Sequence, residues 1–284
     1  MRAADPVELG MPGAGWRAEL ELGFERRGAR SVLASRRHDG PLAVQKTFHP
    51  EGEDICHALV LHPPAGIAGG DLLDIRIRAG ESANALLATP GAGKWYRSSG
   101  GWARQHIRFD VGADACVEWL PQETIVFDGA LADMLTDVRL AAGARYLGWE
   151  ILCLGRTGSG ERFTRGECRV RTRIEREDHP LFNERGRIAG GSALLESPAG
   201  LAGQPVCGTM LAVSPDCDAP LVAACRGLKP LRGEGGVTLL PGVLIARYLG
   251  ASSEAAKNYF VQLWRILRPV VTGREAADLR IWRT

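Results

Sequence analysis

A cysteine and two histidines, Cys56, His57 and His62, form the densest cluster of soft metal-ligand side chains in the chain. Thiolate and imidazole groups suit nickel, zinc or copper. Successive side chains on a strand point to opposite faces, so Cys56 and His57 could share one ion only if the chain bends between them. A buried cysteine is also a common part of a hydrophobic core, and both interpretations remain open.

Carboxylates lie in or beside otherwise apolar strands and turns. They are Asp71, Glu118, Glu123, Asp128, Glu150, Glu161 and Glu184. Two of them, facing a cleft at a set separation, could act as the general acid and base of a hydrolase. The alternative is that each one binds a turn amide or an arginine. A deep cleft with paired carboxylates and a raised pKa would favour the hydrolase.

The glycine-rich segment Gly91–Lys94 lacks the spacing of a phosphate-binding P-loop. That motif requires a glycine five residues before the final glycine and a serine or threonine after the lysine. Ala88 and Trp95 occupy those two positions. The sequence also lacks the G-x-S-x-G and H-E-x-x-H motifs, so it arranges no recognisable nucleophile beside a base.

The elements that position these side chains are predicted to be short strands. Residues 103–111 alternate with a period of two, which is typical of a half-buried strand. Gly112–Asp114 predicts a turn, and 115–120 and 124–127 predict two further strands. We therefore expect the central stretch, Thr89–Ala130, to be a run of short antiparallel strands.

Helices are predicted near the C-terminus. Ser253–Arg268 places Tyr259, Phe260, Leu263, Trp264 and Leu267 on one apolar face, with Ser253 as the N-cap and Pro269 as the end of the helix. A shorter helix is predicted over Leu221–Leu228, since its apolar residues do not alternate.

Bulk composition limits the function classes. The chain has 284 residues, 45% of them hydrophobic, and a formal net charge of +2, which argues against nucleic-acid binding. The arginines at 169, 171 and 173 are then more simply a solvated strand face. The N-terminus lacks a continuous apolar run, and no run approaches the roughly 20 residues that span a bilayer. The seven cysteines include no CxxC pair. We expect a cytoplasmic protein with free thiols.

The fold class expected is mainly β, with many short antiparallel strands in a layered or superhelical arrangement and a small C-terminal helical part. We expect a single domain over residues 1–284. It would contain a flexible arm at 1–15, a β-rich body at 16–249 and a C-terminal helical segment at 250–284.

Several long loop segments resemble those of the urease accessory protein family UreD, also called UreH. They are HPPAGIAGGD (62–71), TPGAGKWYRSSG (89–100), EWLPQETIVFDGA (118–130), LCLGRTGSGE (152–161) and the ending WRILRPVVTGREAADLRIWRT (264–284). The resemblance runs from about Trp16 to Thr284 and is weakest over Ile188–Gly236. Ala65, Ala68 and Trp95 depart from it conservatively.

This resemblance implies a scaffold and not an enzyme. Proteins of this family join a helical accessory protein, UreF, and a GTPase, UreG, and bind the urease apoprotein. The complex installs nickel in urease while the GTPase partner hydrolyses GTP. UreD is thought to contact urease and to conduct nickel through its interior. Neither nucleic acid nor a membrane is implied as a partner.

The resemblance also implies site residues. Asp71, Glu150 and Glu184 match acidic positions of the family, and we expect them, with Glu161 as a weaker fourth member, to line a nickel path. Carboxylates with waters hold a divalent ion loosely, whereas a closed Cys/His site would trap it. The cofactor expectation is therefore nickel in transit, with none tightly bound.

The C-terminal helix is expected to contact a partner. Trp264, Arg268 and the tail to Trp282 are predicted to pack near the UreF interface, and truncation after Gly250 is expected to abolish that complex.

Two other functions remain open. One is a hydrolase that uses two of the carboxylates, and the other is a stand-alone nickel store at Cys56, His57 and His62. An internal tunnel that opens onto flat docking surfaces would favour the scaffold.

Overall fold

The chain folds as two β-sheets with a helical layer on one of them. The computed structural model describes residues 15–64 and 66–283. Apart from Gly15, the predicted flexible arm at 1–15 lies outside the described residues. In chain order the strands are β1 (Arg17–Arg27), β2 (Arg30–Asp39), β3 (Thr47–Phe48), β4 (Cys56–Leu59), β5 (Leu72–Ala79), β6 (Asn84–Ala88), β7 (Gly93–Trp95), β8 (Ala103–Val111), β9 (Cys116–Trp119), β10 (Thr124–Val126), β11 (Leu131–Leu140), β12 (Arg145–Leu154), β13 (Glu167–Arg176), β14 (His179–Ala189), β15 (Val206–Val213), β16 (Glu234–Leu240) and β17 (Val243–Gly250). The helices are α1 (Ala193–Glu196), α2 (Ala219–Gly227) and α3 (Ser253–Thr272), with 3-10 turns at Thr157–Ser159 and Arg280–Arg283.

The strands alternate between the two sheets along the middle of the chain. The seven-stranded sheet has the order β14-β13-β11-β8-β5-β1-β2. The main path of the ten-stranded sheet is β16-β17-β15-β12-β9-β6-β4-β3, and the short strands β10 and β7 extend from β12. Each turn of the chain therefore adds one strand to each sheet, which confirms the predicted mainly β, superhelical arrangement.

The prediction that the strands are antiparallel is only partly right, because both sheets are mixed. β1, β5, β8, β11 and β13 pair in parallel, as do β4, β6, β9 and β12. Antiparallel pairs include β1 with β2 and β13 with β14, at the two ends of the seven-stranded sheet, and β12 with β15 inside the ten-stranded sheet.

The turns explain this difference. Gly112–Asp114 is a turn, as predicted, but it carries the chain from β8 in one sheet to β9 in the other and does not join two paired antiparallel strands. The turns of successive coils then stack, since the Gly112 amide donates to the Ala79 carbonyl and the Asp114 amide donates to the Ala142 carbonyl. A Cβ at Gly112 would approach the Gly80 carbonyl carbon to 3.0 Å, so glycine permits this close stacking. A period of two in the sequence is the same for either pairing direction.

Two hydrophobic cores separate three layers. The larger core lies between the sheets and includes Leu20, Ile77 and Phe109. The second core lies between the ten-stranded sheet and helices α2 and α3. Tyr259, Phe260, Leu263, Trp264 and Leu267 are at most 1% exposed there, as the helical spacing predicted. Each such side chain contributes about 1.5–3 kcal/mol by its burial.

The helix predicted over Ser253–Arg268 forms, but its ends differ from the prediction. Ser252 is the N-cap, with its hydroxyl accepting from the Ala255 amide, and the helix continues past Pro269 to Thr272. Burial of Val271 and Thr272 stabilises this last turn, which ends at Gly273 in the left-handed region. The predicted short helix at 221–228 is confirmed as α2. Within the described residues, no helix has the length and apolar character of a membrane span.

Candidate functional site

A cavity of about 340 Å³ lies between the two sheets and is the candidate functional site. Inward-facing side chains of both sheets form its wall, because alternate residues of each strand point to the intersheet space. Most of the wall is apolar, and polar groups occur at intervals along it. The polar side chains are His62, Thr89, Lys94, Gln105, Gln122, Thr124, Thr136, Glu150, Thr172, Glu184 and Thr209.

A row of polar residues crosses three strands of the ten-stranded sheet at one end of this cavity. Glu150 of β12 is the register partner of Thr209 of β15, and Thr209 is the register partner of Arg247 of β17. Glu184 of β14 faces this row from the other sheet and binds Arg247 with both carboxylate oxygens, at 2.6 and 3.0 Å. Arg247 also donates to the Thr209 hydroxyl at 2.5 Å.

Glu150 has an unusual ionisation for a carboxyl group. Burial raises its pKa, and the negative charge of Glu184 raises it further, to about 7. Its side chain is half-buried and borders the cavity. A carboxylate with this pKa exchanges protons readily near neutral pH and would bind a cation more weakly than a fully ionised one.

His62 lies in the cavity wall with Asp71 close by. Burial lowers the pKa of His62, and the nearby Asp71 charge partly opposes this. Asp71 itself accepts hydrogen bonds from the Trp16 amide at 2.8 Å and the Ala68 amide at 2.7 Å. Its contacts therefore fix the turn at Ala68–Asp71 and tie it to Trp16, and its predicted role on a nickel path stays a prediction.

Glu161, the fourth predicted member of the path, does not line the main cavity. Its carboxylate accepts from the Asp128 amide at 3.1 Å and pairs with Arg156 at 2.7 Å. The hydrogen bond from Arg156 lowers the pKa of Glu161 despite partial burial. Glu161 borders a separate depression beside Phe163, so it organises a loop outside the main cavity.

The three soft ligands are not brought together. Cys56 is buried in the intersheet core, and burial raises the pKa of its thiol. His57 points to the opposite face of β4, where its Nε2 lies 2.6 Å from a Glu51 carboxylate oxygen. His62 borders the cavity without either of them. This separation follows from strand alternation, since no bend occurs between Cys56 and His57. Across the described parts of the chain, no three His, Cys, Asp or Glu side chains are grouped to hold a metal ion.

The residues predicted to bind a partner are mostly interior. Trp264 and Arg268 are 0% exposed. Trp264 donates to Glu118 at 2.7 Å, and Arg268 binds Glu118 at 3.0 Å as well as Glu51. Trp282 is half-buried and packs edge-on against Trp264, with ring centroids 5.2 Å apart.

These contacts exclude direct contact of the Trp264 and Arg268 side chains with a partner while α3 is packed on the sheet. The side chains of Trp264 and Arg268 seat α3 on the sheet, so they can influence a partner only through the position of the helix. The outer face of α3, which includes Arg265 and Val270, is the part open to contact. Partner binding by this helix stays a prediction.

Sequence reasoning missed Arg247 and Thr209 as site residues. Arg247 is the charged residue of the otherwise apolar segment that forms the first part of β17. Its position on the inward-facing side, in step with Val243 and Ile245, was the available signal. The partner carboxylate, Glu184, belongs to a segment 63 residues earlier, which local pattern does not connect to it.

Comparison with known proteins gives a consistent result over nearly the whole chain. The family model described as UreD urease accessory protein matches residues 17–283. A urease accessory protein UreD of an Azoarcus species is 55% identical over 270 residues, covering 95% of each chain. The UreD of Dechloromonas aromatica is 55% identical over 273 residues and that of Pseudomonas aeruginosa 46% over 270 residues, again with 95% of each chain covered. The resemblance of the loop segments is thereby confirmed, and the chain belongs to the UreD family of urease accessory proteins.

Proposed function

We propose that this protein is a non-catalytic maturation factor that binds the urease apoprotein and, with UreF and the GTPase UreG, supports GTP-dependent insertion of nickel into urease. The family assignment supports the role in urease maturation. The observation that carries the nickel step is the cavity between the sheets, with Glu150 and Glu184 in its wall. We further propose that this occurs in the cytoplasm, where the free state of all seven cysteines, each of them described, is stable.

The ligand chemistry of the cavity fits a path better than a storage site. Carboxylate and hydroxyl oxygens near Thr209, together with water, would hold Ni²⁺ by exchangeable bonds. The imidazole of His62 has a lowered pKa and is therefore neutral and able to bind a metal at neutral pH. Its separation from Cys56 avoids the thiolate–imidazole combination that would retain the ion. Nickel then enters as cargo and is passed on.

The test of this path is the nickel content of urease matured with variant protein. Replacing both Glu150 and Glu184 with glutamine removes the ionisable oxygens and nearly preserves their shapes. We expect at least a severalfold loss of nickel in urease, with unchanged recovery of the accessory complex. The matched control is Glu21→Gln, because Glu21 lies between the buried Leu20 and Leu22 on the outward face of β1.

Either of two results would contradict the path. Normal nickel loading by the double variant would remove Glu150 and Glu184 from it. Equal losses in the double variant and in Glu21→Gln would show that the assay detects only a general effect of lost carboxylates.

The partner assignments need a separate experiment. The full-length protein, tagged and co-expressed with the urease subunits, UreF and UreG, is expected to recover all of them. A soluble protein that recovers none of them would overturn the scaffold proposal.

A hydrolase is the second candidate, because the cavity contains two nearby carboxylates and one of them has a raised pKa. Against it, Glu184 is held by the two terminal guanidinium nitrogens of Arg247, which leaves it poorly placed as a nucleophile or base. The family assignment also favours a maturation role. Turnover of a panel of glycoside and ester substrates that disappears in Glu150→Gln would favour the hydrolase instead.

A further inference from the structure

Arg247 lies where the polar row of the cavity reaches the solvent. Glu184 and Thr209 both line the cavity, whereas Arg247 binds both of them from outside its wall. The side chain of Arg247 is 44% exposed and that of Glu184 is 39% exposed. This ion pair is therefore at the boundary between the intersheet cavity and water.

The contacts of Arg247 occupy the oxygens that a cation would use. Each oxygen of the Glu184 carboxylate accepts from a separate guanidinium nitrogen, and the Thr209 hydroxyl accepts from the same side chain. Glu150, the register partner of Thr209, lies deeper. The negative charge of Glu184 disfavours ionisation of the Glu150 carboxyl and so raises its pKa. A divalent ion approaching Glu150 from this end meets the guanidinium first.

We propose that Arg247 is a gate on this cavity that competes with a divalent cation for Glu184. This inference rests on the proposed function, in which Ni²⁺ passes through the cavity. While the guanidinium is bound, its positive charge closes the end of the cavity to cations and neutralises Glu184. A cation that reaches Glu184 displaces the guanidinium into solvent, and the ion pair forms again after the cation leaves.

The exposure of the pair makes such an exchange feasible. Ion pairs in contact with water contribute little net stability, so a divalent ion that binds two carboxylates can replace one. The planar, fork-shaped guanidinium matches the two oxygens of a carboxylate. The ion pair between Arg247 and Glu184 therefore re-forms in a single geometry, in which the gate is closed. A lysine at this position would give a weaker, single-point contact.

The experiment measures the affinity of the full-length protein for nickel chloride by equilibrium dialysis. Arg247→Ala is expected to bind nickel about two- to fivefold more tightly than the natural protein, given the usual strength of an exposed pair. Arg247→Lys should fall between them. The effect of Arg247→Ala should vanish when it is combined with Glu184→Gln, because the two residues act on the same contact.

The matched control is Arg185→Ala. Arg185 is next to Glu184 in β14 but is exposed on the opposite face of the strand, so its removal changes the net charge equally. Arg247→Gln, which keeps a polar side chain with an N–H donor but removes the charge, serves if Arg247→Ala does not fold, as judged by its thermal unfolding. The gate is wrong if affinity is unchanged in the Arg247 variants, or rises equally in Arg185→Ala, while Glu184→Gln still weakens binding. If neither Glu184→Gln nor Glu150→Gln changes nickel binding, the proposed path itself fails and the gate fails with it.

Discussion

A fully buried arginine joins the helical layer to the rest of the protein. Arg268 is 0% exposed and binds Glu118 of β9 and Glu51 of the loop before β4. Glu118 also accepts from Trp264, and Glu51 also binds His57. A buried ion pair need not add stability over an apolar contact, but it fixes which groups must meet. These residues therefore determine the position of α3 on the ten-stranded sheet.

Removing Arg268 should be strongly destabilising. Arg268→Met leaves two buried carboxylates without their cation, and we expect a loss of about 3–5 kcal/mol in the free energy of unfolding. Urea denaturation followed by circular dichroism measures it. The control is Arg265→Met, since Arg265 is exposed on the same helix and its loss should change stability by less than about 0.5 kcal/mol. Similar losses in both variants would mean that the buried network does not hold the helix.

The sequence predicted where individual strands and helices lie better than it predicted which of them pair with each other. Alternation located β8 at 103–111, and the spacing from Tyr259 to Leu267 located α3. The pairing of strands was misjudged, because parallel contacts join residues one full coil apart and leave no local pattern. The pairing of Glu184 with Arg247 and of Glu118 with Arg268 was equally out of reach, since each joins segments far apart in the chain. The sequence therefore indicated a nickel-path role for Glu150 and Glu184 only through family resemblance.

Helix α3 should be indispensable to the fold itself. Truncation after Gly250 removes the whole of α3 and uncovers the apolar surface formed by Trp149, Met210, Ala246 and their neighbours. We expect an insoluble or molten protein, detected by loss of near-ultraviolet circular dichroism and by binding of a hydrophobic dye. Loss of a partner in this truncation would then reflect unfolding. A folded, soluble truncation would show that the sheets are stable alone, and only then would the truncation test the partner interface.

Across the whole molecule, the ten-stranded sheet separates two groups of charged residues, one on each of its faces. Its inner face presents Glu150 and Thr209 to the cavity, and its outer face presents Glu118 to α3. Packed layers are about 10 Å apart, so the two groups of charges do not touch. Changes under α3 should alter stability, whereas changes in the cavity should alter cation binding.

This separation predicts how stability depends on pH. Burial alone would raise the pKa of Glu51, but hydrogen bonds and charges from His57 and Arg268 lower it to about 2, from an ordinary value of 4.5. A carboxyl with a lowered pKa in the folded state contributes stability above its unfolded pKa, and this is lost as pH falls. We expect about 3 kcal/mol of the free energy of unfolding to disappear between about pH 5 and pH 2, measured by urea denaturation at a series of pH values.

Glu51→Gln should be less stable at neutral pH and should show a shallower decline over that interval, because the titrating group is gone. The Glu150→Gln variant lacks a cavity carboxyl and keeps Glu51, so its decline over pH 5–2 should match that of the natural protein. An unchanged slope in Glu51→Gln would show that the acid sensitivity arises from other carboxylates, such as Asp128, whose pKa is also held below its usual range against the effect of burial by Arg165 and Thr164.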